Sequence, residues 1–337
     1  MNLDSPFLYP DSPRDRDRWM EAQRAHAAPR EVLDPLLPQA FLTEEECDER
    51  GEIVSVATIF LTNRECPWRC LMCDLWRHTL TESVPRGAIA SQIDHALKRL
   101  PPARHVKLYN SGSFFDERAI PPEDYVEIAS RLDGFERVVV ESHPLLIGDK
   151  TRRFRDLLKG RLEVAMGLET VHPVVGPQLN KRVSLAQWKK AAQVLGREKI
   201  ALRVFVLVKP PFLDEDEALL WANRSVEWAF DCGASVVALI PTRDGNGAME
   251  TLARRGEWSP PQLKTLEDAL DFGLGLRRGR VVADVWDLER FSSCAHCFPM
   301  RLARLQEMNL RQTIAPQIRC EWCGDSNPPL SKETGVL

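Results

Sequence analysis

From residue 51 onward the chain alternates between two hydrophobic rhythms. Short runs rich in Val, Ile, Leu and Phe at residues 53–61, 105–110, 137–142, 162–168, 201–209, 235–241 and 281–286 predict strands. Between them, apolar residues recur at three-to-four spacing over 91–100, 122–132, 151–158, 185–195, 215–230 and 261–274, several following Asp, Ser or Pro start signals, which predicts helices. At least six strand-to-helix alternations imply an α/β protein whose parallel sheet has right-handed crossovers, either curled as a full or partial barrel or doubly wound. In both arrangements the loops after the strands converge, so function is expected at the strands' carboxyl ends.

The two ends of the chain break this rhythm. Residues 1–50 are rich in Pro, Arg and Asp, with a short helix predicted near 14–26 and an acidic stretch at 44–50, and read as an N-terminal lead-in. Residues 51–290 read as the core barrel and 291–337 as a C-terminal extension, with a loose tail after Asp325.

Composition narrows the class. With 44% hydrophobic and 28% charged residues among 337, disorder of the whole chain is excluded. The balance of 45 basic against 49 acidic residues, −4, does not favour a surface dominated by phosphate contacts. Arginine supplies 34 of the basic residues, and the segments 152–155 and 277–280 are candidate phosphate contacts. No uncharged apolar run approaches the ~18 residues that cross a bilayer, and the first residues show no apolar stretch of signal-peptide length. A cytoplasmic enzyme without membrane contact is the expectation.

Nine cysteines without an export signal point to metal binding rather than disulfides. Cys47 and Cys232 stand alone and read as inert, apolar-packed thiols. Cys66, Cys70 and Cys73 share a C-x3-C-x2-C loop, TNRECPWRCLMCDLWRH, directly after the first predicted strand. Three thiolates leave a fourth coordination position open, whereas structural zinc wants a closed set of four. The plain alternative is a zinc knuckle that borrows His78.

This loop, in this place, resembles the radical S-adenosylmethionine (SAM) superfamily, and the resemblance covers about Gly51 to Trp286. It implies a radical-SAM partial TIM barrel of (β/α)6 type in which Cys66, Cys70 and Cys73 hold a [4Fe-4S] cluster. The open iron of that cluster would bind the amino and carboxylate groups of SAM. Reductive cleavage of SAM would then yield methionine and a 5′-deoxyadenosyl radical that abstracts hydrogen from the substrate. Asn110, Ser111, Gly112 and Ser113 align by order with the family motif that holds the SAM amino group. Glu169 and Glu141 are placed to reach its ribose or amino group, and Lys209 its carboxylate or the substrate. Met72 stands where the family usually has an aromatic residue against the adenine, and Trp68 and Trp76 are expected to cover the cluster from either side.

The spaced motifs YNSGSFFDERAIP, VESHP, GLET, LNK and LVKPPF look most like the group containing the elongator catalytic subunit and the radical-SAM subunit of archaeosine synthase. That likeness implies a modified tRNA base or deazaguanine-type compound as substrate, and a flavodoxin or ferredoxin as electron donor. A radical-SAM methyl- or methylthio-transferase is the alternative enzyme. It is disfavoured by the lack of an obvious RNA-binding β-barrel domain or cobalamin region. A non-catalytic, zinc-stabilised binding protein is the alternative outside enzymes.

Cys294, Cys297, Cys320 and Cys323 form two C-x2-C pairs 22 residues apart, with the helical pattern MRLARLQEMNLRQ between them. Four thiolates in paired knuckles close a tetrahedral site. Zinc and a second iron–sulfur cluster both remain open as occupants.

Overall fold

A computed structural model describes residues 9–323. Eight strands lie in one sheet in strict chain order: β1 (Ala40–Cys47), β2 (Ile53–Phe60), β3 (His105–Tyr109), β4 (Arg137–Glu141), β5 (Arg161–Glu169), β6 (Ala201–Val208), β7 (Val236–Pro241) and β8 (Arg280–Ala283). β1 runs antiparallel to β2, and every later pair is parallel. Right-handed crossovers between sequential parallel neighbours put all connecting helices on one face, so the sheet curls into a half-barrel. All seven predicted strands form.

The connecting helices are α2 (Ala88–Leu97), α3 (Tyr125–Arg131), α4 (Asp149–Leu157), the single turn α5 (Val175–Gln178), α6 (Leu185–Arg197), α7 (Glu215–Asp231), α8 (Ala248–Arg254) and α9 (Leu263–Gly275). They are preceded by α1 (Pro13–Arg24) and followed by α10 (Phe298–Arg311). Strand parity sorts the side chains. Val106, Leu108, Val138, Val140, Val164, Met166, Val204 and Val206 join Ile89, Ile93, Phe154, Trp188, Leu195 and Val226 of the helices in one outer core. The opposite parity faces the lumen.

That inner face is layered. At the amino ends of the parallel strands, buried charges pair off: Arg203 with Glu163 at 2.7 Å and Glu46 at 2.8 Å, Arg137 with Glu163 at 2.8 Å, and Lys107 with Glu46 at 2.5 Å and Glu44 at 2.9 Å. Such charges persist in a low dielectric because each has partners. Above them lies an aromatic tier, with Tyr109 6.2 Å from Phe60 and 6.3 Å from Phe205, and Phe60 6.4 Å from Trp286.

The structure gives partners to several charged residues that the sequence singled out. The acidic stretch in the lead-in begins inside β1, whose Glu44 and Glu46 are floor ligands to Lys107 and Arg203 rather than solvated charges. Of the proposed phosphate contacts, Arg152 and Arg155 pair with Glu198 at 3.5 and 3.0 Å, Arg278 pairs with Asp231 at 2.9 Å, and Arg280 enters the floor. His105 is buried at the start of β3. The tail after Asp325 lies outside the described residues. Among the described residues, no helix is long and apolar enough to cross a membrane.

Candidate functional site

The cysteine loop leaves β2 at the carboxyl end of the sheet and is held from four directions. Leu71 N–H donates to the Leu179 carbonyl at 2.9 Å, beyond α5. Asn246, before α8, donates to the carbonyls of Leu71 at 2.8 Å and Cys73 at 3.3 Å. Asn180 donates to the Arg69 carbonyl at 2.8 Å. Finally α1 lies over the loop, with Trp19 and Met20 packed among Leu71, Met249, Leu252 and Trp258. Helix α1 is therefore part of the site's support rather than a detached leader.

Burial pushes the thiols of Cys66, Cys70 and Cys73 up to about 12, so without a cation they stay protonated. The three act on one another electrostatically, Cys66 with Cys73 and Cys70 with both. Among the described residues, however, the group with donor atoms all within 4.8 Å of one another is the C-terminal one, not this trio.

Trp68 stacks flat on the His143 ring, 3.7 Å apart and 8° from parallel. Trp76 is instead buried beneath the guanidinium groups of Arg24 and Arg30. His78, the knuckle's candidate fourth ligand, has its Nδ1 3.0 Å from Glu31.

The strand ends add further polar groups. Glu141, at the end of β4, accepts the N–H groups of Asn110 at 2.6 Å and Gly112 at 3.3 Å, which folds Asn110-Ser111-Gly112-Ser113 into a tight turn. Ser111 takes φ +51° to allow it. A Cβ on Gly112 would stand 3.3 Å from Cys66 Cβ, so glycine lets this turn approach the first cysteine. Ser113 Oγ accepts the His143 N–H at 2.7 Å. Burial raises the Glu141 carboxyl in spite of the donors aimed at it.

Glu169 and Lys209, at the ends of β5 and β6, also adopt positive φ, +68° and +55°. Strained non-glycine backbone at several strand ends of one sheet is the pattern of a functional mouth. Glu169 accepts from Lys181 Nζ at 2.6 Å. Lys209 turns to Glu215 at 2.6 Å and Ser259 at 2.8 Å. Met72 packs at the border of two small apolar clusters, beside Phe212.

The structure thus joins Cys66, Gly112, Asn110, Ser113, Glu141 and His143 in one contact network and ties Lys209 to a different one. Sequence reading passed over Lys181, Asn180 and Asn246. Only the short LNK motif marked the first two.

At the other metal candidate, Cys294 and Cys320 sulfurs lie 3.9 Å apart, as do those of Cys297 and Cys323. A tetrahedral ion with bonds of about 2.3 Å has its ligand sulfurs about 3.8 Å apart. The four thiols therefore match one ion. Backbone N–H groups of Cys297 and His296 pull the Cys294 thiol down to about 7, while burial pushes Cys297 up to about 12.

No family model matches the chain. It is 25% identical over 271 residues to an uncharacterized protein of Methanocaldococcus jannaschii, spanning 76% of this chain and 74% of that one. It is 25% identical over 232 residues to archaeosine synthase subunit beta of Methanosarcina acetivorans, covering 65% of this chain and 67% of the relative. Among solved structures, Elp3 of Methanocaldococcus infernus with an N-terminal deletion superposes with a TM-score of 0.48 at 13% identity, over 66% of this chain and 58% of that one.

Proposed function

We propose that this chain is a radical-SAM enzyme in which Cys66, Cys70 and Cys73 hold a [4Fe-4S] cluster. The observation that carries the reading is the trio itself: three half-buried, mutually interacting thiols on one loop at the mouth of a parallel half-barrel, outside the single-ion grouping that the C-terminal cysteines meet. A cubane spreads its thiolates more widely than one ion does, and a three-thiol set leaves one iron open. A fit is also supported at Asn110, whose amide nitrogen and oxygen are both buried without a partner. Orphaned groups of that kind call for a ligand or water.

The chain's own residues bind and orient SAM. Glu141 locks the Asn110–Ser113 turn against Cys66, which leaves the turn's polar groups to receive the amino group of SAM. Glu169 faces the same space for its ribose, and Met72 with Phe212 offers an apolar rest for the adenine. When bound, cluster and SAM supply a hydrogen-abstracting 5′-deoxyadenosyl radical. Below, Phe60, Tyr109 and Phe205 line the lumen, with the exposed Trp286 edge-on to Phe60. Their flat faces suit a ring substrate, and together with the relatives named archaeosine synthase subunit beta they support a tRNA base or deazaguanine-type compound.

The four C-terminal cysteines hold one structural zinc ion. The core barrel spans residues 51–290 with β1 and α1 recruited to it.

Anaerobic purification and reconstitution test the reading. About four irons per chain beyond the zinc are expected, with 5′-deoxyadenosine formed when SAM and a reductant are added. Triple replacement of Cys66, Cys70 and Cys73 by Ala should abolish both. A protein that takes up zinc alone at the trio refutes it.

A further inference from the structure

A cavity of about 450 Å³ opens at the amino ends of β4 to β8, on the face of the barrel opposite the cysteine loop. Four cations line it, Arg137, Arg161, Lys199 and Arg280, against the carboxylate of Glu49. Glu49 is taken by Arg137 and by Arg161, the latter at 3.0 Å. Behind the wall, Glu163 serves Arg137 at 2.8 Å and lies 3.8 Å from Arg280. Deeper still, Arg203 and Lys107 have Glu46 and Glu44 to balance them. Set against Glu49 and Glu163, the four lining cations leave an excess of two positive charges, in a chain whose net charge is −4.

The excess is local. In the depression beside it, Arg50 and Lys159 meet Asp48, Asp133 and Glu136. The carbonyl ends of α6 and α7 close on this end of the barrel and by themselves draw a cation such as the exposed Lys199, which has no acidic partner among the described residues.

They do not account for Arg280. Its Nη1 donates to the Cys47 carbonyl at 2.6 Å, but its Nη2 is buried without a hydrogen-bond partner, as is the Nε of Arg137. Burial, together with the neighbouring Arg203 and Arg137, pulls the Arg280 guanidinium below its ordinary value in spite of Glu163. A guanidinium keeps its proton at any ordinary pH, so crowding of this kind is relieved by an anion and not by titration.

We infer that this cavity binds a phosphate-class dianion, gripped by Arg161, Lys199 and Arg280, with Leu162, Ile200 and Ala201 lining the space for the apolar part of a phosphomonoester. Planar guanidinium forks match phosphate oxygens, and two charges match the excess. The site faces away from the barrel mouth, so its ligand is not the substrate held there, and the inference stands independently of the radical-SAM reading. Because Arg280 and Arg203 share Glu163, an occupied site also ties into the charged floor and stabilises the folded chain.

Calorimetric titration of the full-length protein tests it, with inorganic phosphate and phenyl phosphate as probes and chloride holding the ionic strength constant. Saturable binding at one site per chain is expected, with a dissociation constant of about 1 mM or tighter. Phenyl phosphate binding about 3–10-fold more tightly marks a phosphomonoester site, and equal affinity marks a site for free phosphate; both support the cavity as the place.

Lys199→Gln combined with Arg161→Gln changes two exposed side chains and should weaken both probes by about 10-fold or more. Lys159→Gln, which removes a lysine paired with Asp133 across the neighbouring depression, should bind as the parent does. The urea midpoint without phosphate checks that each variant is folded, and added phosphate should raise it in the parent but not in the double variant. A parent that shows no saturable binding up to about 10 mM, or a folded double variant that binds as tightly as the parent, overturns the inference.

Discussion

Asn309 of α10 grips Ala283 of β8 by both backbone groups: its Oδ1 accepts the Ala283 N–H at 2.8 Å and its Nδ2 donates to the Ala283 carbonyl at 2.8 Å. Gln312 does the same at Val281, at 2.8 and 3.0 Å. Two carboxamides on one helix thus supply the bonds that a ninth strand would have made, and the half-barrel has no raw edge at β8. Arg280 spans the same seam by donating to the Cys47 carbonyl at 2.6 Å.

Asn309→Ala removes both bonds and leaves a partly buried amide and carbonyl unpaired, at a cost of about 1–3 kcal/mol. Urea denaturation should register that loss, and the Ala283 amide should exchange with deuterium faster than in the parent. An unchanged exchange rate would mean that α10 does not guard this edge.

Cys297 is the residue just before the same helix, so the metal site should act on the seam from a distance. Cys294→Ser combined with Cys320→Ser removes half of the ligand set and should eliminate one zinc per chain in elemental analysis. Because metal binding and local folding are coupled, hydrogen exchange at Ala283 should rise in this variant as well. Zinc retained at full stoichiometry would refute the four-thiol site.

The charged floor predicts an acid limb. Burial alone would raise the Glu46 carboxyl, but Arg203 and Lys107 outweigh it and hold the group well below the usual carboxylate range. Glu163 is lowered in the same way by Arg203, Arg280 and Arg137 against its own burial. A carboxyl depressed in the folded state stabilises fully above its unfolded value of about 4.3, and that contribution disappears as pH falls through the folded value.

Stability measured in urea should therefore hold from neutral pH to about 5 and fall below about 4. Arg203→Met should cost about 3 kcal/mol at neutral pH, because it takes a close partner from two carboxylates at once and leaves Glu163 with Arg137 and Glu46 with Lys107. The same variant should show a shallower acid limb. An acid limb as steep as the parent's would place the responsible carboxyls elsewhere.

What could be read from the sequence was what is encoded locally. Seven strands announced themselves by β-branched runs, and the trio Cys66, Cys70 and Cys73 by spacing on one loop. β1 did not, because Glu44, Glu45 and Glu46 look like a solvated charge run until Lys107 and Arg203 are brought alongside from distant strands. The role of α1 was hidden for the same reason: its apolar residues Trp19 and Met20 find Leu71, Met249 and Trp258 only after the sheet has curled. Lys181 was visible as a letter in a motif, but its direction depends on left-handed turns at Asn180, which asparagine tolerates, and at Arg182, which arginine does not favour.

The cover formed by α1 is itself open to test. Glu65, inside the cysteine loop, takes Arg24 at 2.7 Å and Arg30 at 2.5 Å from the N-terminal segment and Arg69 at 3.1 Å from the loop. Glu65→Ala strands those half-buried guanidinium groups, and Trp19→Ala empties the apolar contact beneath α1, a loss of about 3–5 kcal/mol for a buried tryptophan. Neither residue donates to a metal in the proposed site, so the iron loaded under anaerobic conditions should match the parent. What should change is protection: on exposure to air the visible absorbance of the cluster should bleach faster in both variants, and proteolysis between α1 and β1 should accelerate in parallel. Bleaching at the parent's rate, with proteolysis accelerated, would show that α1 can lift without uncovering the cysteine loop, and would confine its part to stability.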